Sequence, residues 1–106
     1  METFSKRNSY TASDGTRYTS AQIDRKVRQA CRYVMNEQLS IMGYNYCMDC
    51  EVNSSHSIID PSHDISINEC KKNGQVELAW DTENITPRCR KCHQLRDKLT
   101  LQFKNI

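Results

Sequence analysis

At 106 residues the chain is one domain by length, and so small a domain buries only a modest share of its surface, so something besides an apolar core is expected to hold it. Hydrophobic residues make up 37%, and no apolar run approaches the roughly 18 residues that span a bilayer, so a soluble protein without membrane contact is expected. The net charge of +2 is unevenly spread: residues 1–46 carry seven basic and four acidic side chains, 47–87 two and eight, and 88–106 six and one, which suits a chain that meets a polyanion at its ends and a cation at its centre, with internal charge pairing as the plainer alternative.

The opening METFSKRNSYTASDGTRYTS lacks the continuous apolar segment of a secretory signal, so a cytoplasmic, reducing setting is expected. In that setting six cysteines read as thiols or metal ligands rather than as a disulfide framework. Residues 1–18 are rich in Ser, Thr, Asn and Arg without apolar periodicity and read as a flexible basic arm, leaving 19–106 as the single domain. Thr19 followed by Gln22 makes a capping box, and Ile23, Val27, Ala30, Cys31, Val34 and Met35 recur at helical spacing, predicting an amphipathic helix over 19–43 that ends at Gly43. Arg25, Arg28 and Arg32 fall largely off the apolar stripe, where a solvated face explains them as well as a phosphate contact would, and Cys31 on the stripe reads as an inert core thiol.

From Tyr44 to Pro87 the signals are those of short strands and turns. SIID and DISI carry β-branched residues, KKNGQ places Asn73 and Gly74 where a tight hairpin turn would want them, and VELAW alternates like a returning strand. A second helix is predicted from Arg90, with Cys92, Leu95, Leu99 and Phe103 along one side.

Two CxxC pairs, Cys47 with Cys50 and Cys89 with Cys92, are the strongest signal in the chain. Two intervening residues let a tight turn aim both sulfurs at one ion, and two such turns complete a tetrahedron suited to Zn²⁺; redox pairs or unliganded thiols are the alternatives. Four thiolates close the coordination sphere, so this ion would be structural. Cys70 has no partner at ligand spacing and reads as a bystander.

Around that frame stand His63 in PSHDIS, Asn84 in WDTENITP, and His93 directly after the last cysteine of the second pair. With CMDC at 47–50 and CRKCH at 89–93, these residues resemble the HNH, or ββα-metal, nucleases, in the subset braced by two CxxC knuckles. The resemblance covers roughly Tyr44 to Leu99, and WDTENITPRCRKC is also similar, more loosely, to small phage recombination nucleases of that superfamily.

The resemblance implies an α+β fold, a small zinc-stapled, treble-clef-like ββα finger over 44–106 preceded by the amphipathic helix. It implies a DNA endonuclease in which His63 is the general base, Asn84 orients that base or helps ligate the catalytic Mg²⁺ or Mn²⁺, and His93 ligates the ion. The family usually has Asp or His immediately before the base, as a ligand, and this chain has Ser62; Asp60, Asp64 or Asp97 would have to substitute. Arg88, Arg90, Lys91, Arg96 and Lys98 lie where the family lays its helix against DNA, and phosphate contact is their implied role. No organic cofactor is implied, and the setting would be a host cytoplasm if a phage encodes the chain. A catalytically inactive zinc module that binds nucleic acid, and a zinc-stapled adaptor for another protein, remain the alternatives.

Overall fold

Asp14 and Gly15 turn the chain back on itself: the Asp14 carboxylate accepts from the Thr16 amide at 2.9 Å, and Gly15 takes a φ of 89°, which an L side chain rarely adopts. The turn joins β1 (Ser9–Thr11) to β2 (Arg17–Thr19) as an antiparallel pair with Tyr10 opposite Tyr18. The computed structural model describes residues 9–95, and within them the flexible arm expected over 1–18 is, from Ser9 onward, this hairpin. Arg17 fastens it by donating to the Ser9 and Thr11 hydroxyls at 2.9 and 3.1 Å. Of the expected arm, residues 1–8 lie outside the described residues.

Helix α1 (Ser20–Met42) starts at the capping box read from the sequence. The Gln22 amide donates to the Thr19 hydroxyl at 3.2 Å, and the Gln22 side-chain oxygen accepts from the Thr19 amide at 2.9 Å. Gly43, at φ 82°, ends it, donating to the Leu39 carbonyl.

The chain divides into two units, Met1–Tyr33 with His63–Ile85 and Val34–Ser62 with Thr86–Ile106. In the first, Ala12, Ile23, Cys70, Val76 and Ala79 form a buried cluster with Tyr10, Tyr18, Val27, Ile67, Leu78 and Trp80 packed against it. Ile23 and Val76 have no exposed surface, and burying side chains of this size contributes about 1.5–3 kcal/mol each.

The segment read as a hairpin with a returning strand is instead helical. Ser66 caps α2 (Ile67–Lys72), its hydroxyl accepting from the Glu69 amide at 3.2 Å. Asn73 and Gly74, the supposed hairpin turn, close that helix, with Gly74 at φ 67°. Val76–Trp80 is a 3₁₀ turn that packs on α2 and buries Val76 and Ala79, residues three apart that a 3₁₀ turn stacks on one face. The physical reason for the misreading is that Asn-Gly serves the left-handed end of a helix as readily as a hairpin. Ser13 donates from its amide to Glu77 at 3.1 Å, tying the β1–β2 turn to this segment.

Strands β3 (Ile59–His63) and β4 (Ile85–Cys89) form a second two-stranded sheet, and residues 90–95 are helical. The architecture is thus mixed α and β with two small sheets. No helix among the described residues is long and apolar enough to cross a membrane.

Candidate functional site

The four cysteines of the two CxxC pairs belong to the second unit, and their sulfurs all lie within 4.8 Å of one another. Each pair is shaped by the same backbone device: the Cys50 amide points at the Cys47 sulfur at 3.4 Å, and the Cys92 amide at the Cys89 sulfur at 3.5 Å. The first pair sits on a miniature hairpin. Cys47 donates to the Val52 carbonyl at 2.8 Å, Ser54 to the Asn45 carbonyl at 2.9 Å, and Glu51 turns the corner in the left-handed region at φ 68°. Gln38 on α1 grips that hairpin from the side, donating to the Tyr46 carbonyl and accepting from the Tyr46 amide, both at 3.1 Å.

The donor set fits one metal ion. Zn–S bonds of about 2.3 Å in a tetrahedron require sulfurs roughly 3.8 Å apart, and the Cys50 and Cys89 sulfurs are 3.7 Å apart. Electrostatics point the same way. Burial opposes ionisation of Cys47, but the amides of Cys50, Cys89 and Asp49 outweigh it and bring the thiol down to about 6. The hydrogen bond with Cys89, with burial next, pushes Cys92 up to about 12. At Cys50 the Val52 amide favours the thiolate, yet burial and the neighbouring sulfurs of Cys47 and Cys89 prevail and raise it. Four thiolates this close repel one another, so the group ionises fully only around a cation. Among the described residues no other three His, Cys, Asp or Glu side chains converge in this way, and Cys70 lies instead in the apolar cluster of the first unit.

Arg88, expected among the phosphate contacts, is instead turned inward. It is 4% exposed, its Nε donates to Asp49 between the two cysteines of the first pair at 2.8 Å, and its Nη1 donates to the Ser62 hydroxyl at 3.1 Å. Ser62, 1% exposed, is thereby committed to the interior of this unit. An arginine so placed staples the second knuckle and β3 to the first knuckle, and the Pro87 carbonyl adds a second tie by accepting from the Met48 amide at 2.9 Å. Arg90 stays largely exposed while its Nε contacts Asp60 at 3.2 Å, and Lys91 is exposed. His93 sits on the helix of residues 90–95 and lines a recess of about 340 Å³ with Asp60, Arg90 and Gln94. Arg96, Asp97 and Lys98 lie outside the described residues.

His63, Asp64 and Asn84 belong to the first unit. His63 ends β3, and its Nε2 is 2.7 Å from the Ala79 carbonyl. A carbonyl can only accept, so Nε2 carries the proton in the neutral ring and Nδ1 keeps its lone pair. Asn84, 7% exposed at the end of the 3₁₀ turn Thr82–Asn84, spends its amide on backbone: Oδ1 accepts from the Ile65 amide at 2.7 Å, and Nδ2 donates to the carbonyls of Ile65 at 3.0 Å and Leu78 at 2.9 Å. It therefore holds the peptide that precedes the carbonyl on which His63 rests. Asp64 is exposed and donates its amide to the Asn84 carbonyl at 2.9 Å.

The inward roles of Arg88 and Ser62 could not be read from the sequence because their partners are 39 and 26 residues away. The capping signal of α2, Ser66 with Glu69 three residues on, was there to be read. No family model, curated protein or solved structure matches this chain.

Proposed function

We propose that this chain is a metal-dependent DNA endonuclease of the HNH, or ββα-metal, kind, with a structural zinc at Cys47, Cys50, Cys89 and Cys92. The observation that carries the reading is the fixed imidazole of His63, held by the Ala79 carbonyl at 2.7 Å so that Nδ1 is the basic nitrogen. In the reaction, His63 Nδ1 takes a proton from a water, the resulting hydroxide attacks the scissile phosphorus, and the opposite P–O bond breaks as its oxygen leaves. A divalent ion, Mg²⁺ or Mn²⁺, would stabilise the charge on the phosphate and the leaving oxygen.

Support also comes from the pairing of β3 with β4, which α2 and two 3₁₀ turns separate in sequence, and from the helical residues 90–95 that follow β4 and carry Cys92 of the four-cysteine group. With Ser62 turned to Arg88, the carboxylate ligand would have to come from Asp60, Asp64 or Asp97. Few protein ligands suffice, since Mg²⁺ keeps several of its waters. Asn84 acts as a positioning residue through the Leu78–Ala79 peptide, and Arg90 and Lys91 meet phosphates.

Plasmid nicking by the zinc-loaded protein, with and without Mg²⁺ or Mn²⁺ and beside His63→Ala, tests this. The expected result is metal-dependent nicking that His63→Ala abolishes while losing no more than about 1 kcal/mol of stability, the worth of one hydrogen bond. Wild-type protein that nicks with neither ion would overturn the reading. One observation favours a second reading, a zinc module that binds nucleic acid without cutting it: the position usually occupied by a ligand holds Ser62, buried against Arg88. Salt-dependent DNA binding with no cleavage would identify it.

A further inference from the structure

The first unit carries a second recess, of about 510 Å³, lined by Lys26, Gln29, Ala30, Tyr33, Trp80 and Thr82. That volume lies within the roughly 300–1,000 Å³ of ligand sites. None of these residues has a part in the nuclease reading. Lys26, Gln29, Ala30 and Tyr33 fall at helical spacing along α1, and Ala30, the smallest of them, leaves the room between its neighbours.

The recess combines aromatic surface with fixed positive charge. Tyr33 is 59% exposed, and Trp80 is braced edge-on by Tyr18 with ring centroids 4.9 Å apart. The Lys26 ammonium lies 5.3 Å from the Trp80 centroid and 5.6 Å from that of Tyr18, which fixes a cation at the recess while leaving it available to an anion. Arg25 and Arg32, both exposed, fall within about 60° of Gln29 on the helical wheel. Over residues 20–33 the helix presents four basic side chains and a single acidic one, Asp24.

We propose that this recess binds an unpaired segment of a DNA strand, a base stacking against Tyr33 and Trp80 and the adjoining phosphates meeting Lys26, Arg25 and Arg32. Flat π-surfaces beside a row of cations are what sequence-independent single-strand recognition requires, since every base has a stacking face and every nucleotide a phosphate. A duplex keeps its bases paired and stacked and offers the rings nothing but its backbone. The inference rests on the nucleic-acid reading above for the choice of polymer and adds a preference for substrates with unpaired nucleotides, independent of whether His63 cuts them.

Trp80 is the sole tryptophan of the chain, so its fluorescence reports this recess directly. An oligo-dT strand titrated into the full-length, zinc-loaded protein should quench it, and a duplex of equal length should do so at least ten-fold more weakly. Tyr33→Ala should weaken oligo-dT binding about ten-fold and Tyr33→Phe should restore it, because a ring rather than a hydroxyl is needed. Lys26→Gln should reduce the slope of log affinity against log salt by about 0.7, the contribution of one phosphate contact on a single strand. Circular dichroism of each variant establishes that the fold is kept. Absence of quenching, equal quenching by duplex, or unchanged affinity in folded Tyr33→Ala would overturn the proposal. Quenching without nicking would leave this site and remove the nuclease, whereas nicking without quenching would do the reverse.

Discussion

The two units of this small chain are held by different physics. The first buries Ile23, Val76, Ala79, Ala12 and Cys70 under a ring of aromatic and aliphatic side chains. Among the described residues of the second, the buried side chains include Cys47, Cys89, Ser62 and Arg88, which are thiols, a hydroxyl and a cation rather than an apolar cluster. Units of this size are marginal on packing alone. One half has apolar burial, and the other has a group of four thiols that could hold a metal ion.

Withdrawing the metal should break the comparison most severely. Structural zinc contributes about 10–16 kcal/mol in small domains, so a strong chelator should abolish hydrogen-exchange protection at the amides of Cys47, Cys50 and Cys92 while those of the Ile23 and Val76 segments stay protected. Protection that survives chelation in the second unit would mean that the thiols hold no structural ion. Next in size is Ile23→Ala, expected to cost about 2–5 kcal/mol, since Ile23 has no exposed surface. Thermal melts paired with zinc quantification should show lower stability with the metal content unchanged; loss of zinc would show that the two means of support are not separable.

Arg88→Ala sharpens the contrast further. It strands the Ser62 hydroxyl and removes the partner of Asp49, which is partly solvated, so a loss of about 2–3 kcal/mol is expected in denaturant unfolding. Arg88→Lys should recover only part of it, because an ammonium cannot reproduce the fork that reaches both partners. A phosphate-contacting arginine would behave in the opposite way, leaving stability intact and weakening DNA binding.

What the sequence made legible was what it encodes locally. The cysteine spacing led to the thiol cluster, and Thr19, Gln22 and Gly43 marked both ends of α1, because a knuckle or a cap is written within a few residues. Asp14-Gly15 was an equally local hairpin signal and Ser66-x-x-Glu69 an equally local helix start; both were masked by polar composition around them. VELAW fits two periods, since Val76 and Ala79 are buried at a spacing of three while Val76, Leu78 and Trp80 also alternate, and only tertiary packing decides between them. Arg88 looked like its exposed neighbours because nothing near it in sequence names Asp49 as its partner.

Gln38 and Asn84, one in each unit, have in common that a side-chain amide impersonates a peptide group. Gln38 exchanges both a donor and an acceptor with Tyr46, and Asn84 does the same with Ile65, each acting as a one-residue strand where the backbone provides none. Such a pairing is legible only to a group that is donor and acceptor at once. Aspartate has the outline of asparagine yet would set a carboxylate against the carbonyls of Ile65 and Leu78, and glutamate at position 38 would do the same to Tyr46. At these two positions the nearest isostere is among the worst replacements, and it is hydrogen-bond polarity, not shape, that fixes the residue.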